Sequence, residues 1–138
     1  MARHTAKGKR FEGLIERADK ALDNGYCIEA STIYYAILEE RLISVLTKFG
    51  CTIDRWQKMH YCINKLKTLT ATNSLARAAF DTSLLDTMDA WRDRRNEVIH
   101  DFAKMDIPYN DIEEWAKEGK SLLRQFNAAA MRLKKRIS

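Results

Sequence analysis

The chain has 138 residues, 46% of them hydrophobic and 31% charged, with a formal net charge of +5. That length gives one domain with a real core, and that balance excludes a disordered chain. No stretch approaches the length of a membrane span, and Met1-Ala2-Arg3-His4-Thr5 leads into lysines with no apolar segment, so a cytoplasmic protein without a membrane partner is expected. Cys27, Cys51 and Cys62 are odd in number and form no CxxC pair. They read as core thiols, not as a disulfide framework or zinc site, and no metal or cofactor is expected. The modest positive charge is compatible with a polyanionic partner.

One proline and five glycines leave few breakers, which favours long helices over many short strands. Residues 1–9 are polar and basic and read as a flexible tail, followed by a single helical domain over 10–138. Phe11, Leu14, Ile15, Ala18, Ala21 and Leu22 recur at steps of three and four, predicting a helix over 9–23 that stops at Asn24-Gly25. Ile33, Tyr34, Ile37, Leu38, Leu42, Val45, Leu46 and Phe49 cover about half the circumference of a second helix, 28–49, with Gly50 as its stop. A stripe that wide makes this helix central.

A third helix is expected over 54–69, carrying Trp56, Met59, Cys62, Ile63 and Leu66. His60 lies there without a matching ligand and reads as a surface or boundary histidine. Residues 68–74 read as a turn and 75–80 as one short helical segment. Asp81, Thr82 or Ser83 caps a fourth helix that ends near 102 or 103. A break follows at Asp106-Ile107-Pro108-Tyr109, and Asn110 with Glu113 signals the start of a last helix. Its apolar face runs from Ile112 and Trp115 to Leu133, and its final turns hold Arg132, Lys134, Lys135 and Arg136. Those cations suit a helix C-terminus and are also candidate RNA contacts. The expected fold is all-α, an antiparallel bundle of four to five helices.

The fourth helix holds the least ordinary residues. Leu84, Met88, Trp91, Val98 and Phe102 form one apolar stripe, and Arg95 stands in the middle of it. An arginine there keeps its charge, so it needs a carboxylate, a phosphate or water beside it. Glu39 and Glu40, at the edges of the second helix's apolar arc, are the expected carboxylates. Asn96 and His100 are four apart and share a different face. Arg92 and Arg94, beside them, are further candidate RNA contacts. Cleaving RNA without a metal needs a group that moves protons, a group that holds the phosphate and a cation that stabilises its transition-state charge. Histidine and arginine suit the first and last tasks.

Arg95-Asn96-x-x-x-His100, late in a mostly helical chain, resembles the signature of the HEPN domain family. The resemblance covers nearly the whole chain in helix order, though its sharp part is this one motif. It implies an HEPN-like bundle that forms a homodimer with the two motifs facing one groove. It further implies a metal-independent endoribonuclease, a toxin or phage-defence effector, in which Arg95, Asn96 and His100 are catalytic and RNA leaves as a 2′,3′-cyclic phosphate and a 5′-hydroxyl. An antitoxin or other regulatory protein is an implied partner. In one toxin branch a tyrosine two residues after the histidine is the site of modification; Phe102 stands there in this chain and has no hydroxyl. The alternatives are a non-catalytic helical module for dimerisation and protein or nucleotide binding, and a nucleic-acid-binding regulator that uses the basic last helix.

Overall fold

The computed structural model describes residues 6–54, 56–104 and 109–137. They form six helices: α1 (Ala6–Asp23), α2 (Cys27–Lys48), α3 (Met59–Thr72), α4 (Ser74–Ala79), α5 (Thr82–Lys104) and α6 (Tyr109–Ile137). The fold is all-α, with no strand among the described residues. The count exceeds the expected four to five because the short helical segment expected at 75–80 forms, at 74–79, a helix of its own. Asn73 caps it, its Oδ1 accepting the backbone N–H groups of Leu75 and Ala76 at 2.9 and 3.1 Å.

The central position expected of the second helix holds: α2 packs on α1, α3 and α6. Gly25 and Gly50 end α1 and α2 with φ of 86° and 84°, the left-handed geometry that favours glycine. Tyr109, at the start of α6, donates from its hydroxyl to the Gly25 carbonyl at 2.6 Å, so α6 begins where α2 begins and the two run parallel. α5 runs against both. The core comprises Tyr34, Ile37, Leu38, Leu42 and Leu46 of α2 with Trp91, Trp115, Phe126 and Leu133, all under 2% exposed.

Several boundaries depart from expectation. α1 begins at Ala6, so residues 6–9 are helical; the tail expected over 1–5 lies outside the described residues. α3 begins at Met59, not 54, because Gln57 folds back on Asp54: its side chain accepts the Asp54 N–H at 2.8 Å, and its own N–H bonds the Asp54 carbonyl. Trp56 is therefore outside the helix and 73% exposed. The expected turn at 68–74 is helical to Thr72, since the Thr68 and Thr72 hydroxyls donate to carbonyls four residues back, a bond that a helix accommodates. Asn110 lies inside the first turn of α6, not before it. The break expected at 106–108 lies outside the described residues. Phe102, placed by its spacing on the buried stripe, is 46% exposed and rims a hollow of about 210 Å³ with Tyr26, Cys27, Tyr109 and Ile112.

Candidate functional site

The site is set by the crossing of α5 and α6. Trp91 and Trp115 stack with ring centroids 5.0 Å apart and planes 16° from parallel. Each indole N–H donates to the other's backbone carbonyl, Trp91 to Trp115 at 2.8 Å and Trp115 to Trp91 at 3.2 Å. Two buried indoles thus satisfy each other's donors, and the crossing is locked in register. Gly119 makes room: a Cβ there would fall 2.4 Å from the Trp91 ring.

Arg95 follows Trp91 by one turn and is half-buried on the stripe, as its spacing predicts. Its guanidinium carbon lies 4.5 Å from the centroid of the Tyr35 ring on α2, and Tyr35 in turn lies 6.0 Å from Trp91. Three aromatic rings and a guanidinium form one run of contacts, Trp115–Trp91–Tyr35–Arg95, with the Tyr35 ring tilted 35° from that of Trp91. The expected partnership with Glu39 or Glu40 is corrected here: among the described residues Arg95 makes no ion pair, and its buried Nε has no hydrogen-bond partner. The face of Tyr35 is the group directly beneath the charge, and its quadrupole attracts a cation without neutralising it. Burial, and then the charge of Glu39, holds the Tyr35 phenol above its ordinary range, against the opposing pull of Arg95 and Arg92. Tyr35 stays a neutral donor.

Asn96 and His100 are exposed on the adjoining face of α5, and their side chains make no hydrogen bond among the described residues. Arg92 shares that side of the helix but is occupied. Its Nε donates to Asp89 Oδ1 at 2.9 Å, and its Nη2 lies 3.5 Å from Asp93. The same Asp89 oxygen meets His60 Nδ1 at 2.9 Å, while His60 Nε2 meets the Asn64 amide at 3.1 Å. His60 is thus a boundary histidine that ties α3 to α5. Burial pushes the Asp89 carboxyl up, but the bonds from His60 and Arg92 outweigh it and hold the group below its ordinary range. Among the described residues no cluster of histidine, cysteine or carboxylate side chains has the make-up of a metal site.

The other candidate RNA contacts do not gather at the motif. Arg94 is exposed two residues before Asn96, which puts it on the far side of the helix. Arg132 donates to the Ala79 carbonyl at 3.3 Å and lines a cleft of about 380 Å³ beside Asp81, Ser83 and Thr87. Lys134, Lys135 and Arg136 are exposed in the last turn of α6. At 1.5 Å per residue that turn lies about 28 Å along α6 from Trp115, which is level with Trp91, and Arg95 is one turn further away.

Two residues at these surfaces escaped the reading of the sequence. Tyr35 hid beside Tyr34, which took the buried place. Arg41 gave the same signal as Arg95: it stands four residues after Ile37 and four before Val45, in the middle of the widest apolar stripe. Comparison with protein-family models, with curated proteins and with solved structures found no match to this chain.

Proposed function

We propose that the chain is a metal-independent endoribonuclease of HEPN type, with Arg95, Asn96 and His100 as its catalytic residues. One observation carries the reading. Arg95 keeps a charge that no carboxylate neutralises among the described residues, beside an amide and an imidazole with no internal partner. A purely structural arginine on this stripe would be expected to meet Glu39 or Glu40.

In the proposed reaction His100 accepts the proton of the RNA 2′-hydroxyl. The freed oxygen attacks the adjacent phosphorus, and the P–O5′ bond breaks. The leaving 5′-oxygen takes a proton from water while His100 returns the one it accepted to solvent, giving a 2′,3′-cyclic phosphate and a 5′-hydroxyl. Arg95 meets the phosphate oxygens as their charge grows, and Asn96 orients the phosphate. The family resemblance adds a homodimer with both motifs in one groove, a cytoplasmic role as toxin or phage-defence effector, and an antitoxin or other regulatory protein as partner.

The test is incubation of the purified protein with mixed cellular RNA in EDTA, beside His100→Ala and Arg95→Ala. Cleavage by the parent should fall about 10²-fold or more in His100→Ala, the usual worth of a proton-transfer group. A folded parent that leaves RNA intact, or a His100→Ala variant that cuts as well as the parent, would overturn the reading. A second reading, a non-catalytic helical module that binds a protein or nucleotide, draws on the Arg95–Tyr35 stack, which is a packing contact in its own right.

A further inference from the structure

We infer that the end of the bundle where α2 and α6 finish holds a second phosphate of the RNA backbone, gripped by Arg41, Lys48 and Lys134 and separate from the Arg95 site. This rests on the endoribonuclease reading and assigns part of the path of its substrate.

Arg41 is the anchor. It lies in the buried arc of α2, half-buried, with its guanidinium carbon 4.8 Å from the centroid of the Phe11 ring on α1. Its Nε is buried without a hydrogen-bond partner, and among the described residues it makes no ion pair. That is the same arrangement as Arg95 on Tyr35: a cation fixed on an aromatic face with no ion pair among the described residues. Lys48 is seven residues further along α2, on the same face and about 10 Å on. Because α2 and α6 run parallel, Lys134 in the last turn of α6 arrives at the same end. Burial, then the charges of Lys134 and Arg41, hold the Lys48 amine below its ordinary range, so Lys48 feels the other two cations.

Cations in a last helical turn complement the helix dipole, which accounts for Lys48 and Lys134. It does not account for Arg41, which stands nearly two turns before the end of α2. Three mutually repelling cations, one of them held partly out of water, are stabilised by an anion that meets all three. A phosphate diester supplies that charge along with oxygens for charge-assisted hydrogen bonds. At the opposite end of the bundle, around the start of α2 and α6, the cations are answered: Arg17 pairs with Glu29 at 3.3 Å and Lys117 with Glu113 at 2.9 Å.

The experiment measures binding of a single-stranded 12-mer RNA across a salt series, in the His100→Ala background so that the RNA survives. Arg41→Gln and Lys134→Gln should each weaken binding about tenfold, the worth of one charge-assisted contact, and lower the salt slope by about one. Lys20→Gln, the same charge loss toward the other end, should leave both unchanged. Binding by Arg41→Gln equal to the parent, or weakened no more than by Lys20→Gln, overturns the inference. Should Arg41→Gln fail to fold, judged by its melting, the double variant Lys48→Gln/Lys134→Gln decides, since both side chains are exposed. Arg41-dependent binding by a parent protein that never cuts RNA would uphold this site and remove the enzyme reading.

Discussion

Replacing Gly119 by alanine sets two physical rules against each other. Alanine in a helix interior is favoured over glycine by about 1 kcal/mol, so propensity alone predicts a more stable protein. In this fold the added methyl would sit 2.4 Å from Trp91 Cζ2, 3.0 Å from Cε2 and 3.2 Å from Cη2. Ordinary carbon contacts begin near ~3.5 Å, so the ring or the helix must retreat by about 1 Å. Trp91 has little room, since it is 1% exposed, stacked on Trp115 and hydrogen-bonded to its carbonyl. Retreat weakens that bond, worth about 1 kcal/mol, and the stack, worth about 1 kcal/mol, and adds off-rotamer strain. The net loss is about 2 kcal/mol. With about 0.3 kcal/mol/K of unfolding entropy for a chain this long, Tm should fall by roughly 7 °C, read by circular dichroism. A Tm at or above the parent's would refute the reasoning and show that the crossing yields.

Asp89→Asn should cost about 1 kcal/mol at neutral pH, since one oxygen serves both His60 and Arg92. The folded carboxyl lies below its ordinary value of 3.8, so its contribution is present above that value and lost as pH falls through the lower one. The gap between parent and variant should therefore close in acid unfolding series; a gap of constant size would sink the assignment. Thiol labelling at pH 8 should modify Cys51 first, with Cys27 and Cys62 reacting only on unfolding. Burial, then the charge of Glu39, pushes the Cys62 thiol up to about 11, so its neutral form favours the fold below pH 9.0 and that preference fades as pH rises towards 11. Equal labelling rates at Cys51 and Cys62 in the native protein would contradict this.

The helical periods were legible because apolar spacing reports which face is buried, and that is why Arg95 was placed on the stripe. The same spacing misplaced Phe102, because a stripe says nothing of where the neighbouring helix stops. Glu39 and Glu40 were expected to answer Arg95 on the rule that buried charge meets opposite charge. The structure answers with an aromatic face, which composition cannot point to when Tyr34 and Tyr35 are adjacent and either could turn inward. The start of α3 turned on one side chain, Gln57, folding back on Asp54. Arg41 was legible by the rule that found Arg95, but no neighbouring motif drew attention to it. The separation of Arg132 and the basic end of α6 from the motif follows from the antiparallel packing of α5 and α6 that short joins imply; these cations were chosen by charge, without regard to their height along the bundle.

The stacked tryptophans also make the core its own spectroscopic probe. Trp91 and Trp115 are close enough, and nearly parallel enough, for their excited states to couple, whereas Trp56 faces solvent. The near-ultraviolet signal should therefore come chiefly from the buried pair, while a quencher such as iodide reaches Trp56. Because Tyr35 joins that pair to Arg95, an anion that draws the guanidinium off the ring disturbs the outer layer of the same stack. Occupancy of the Arg95 site should then be visible as a change in the coupled signal that iodide does not quench, without any turnover and without a label.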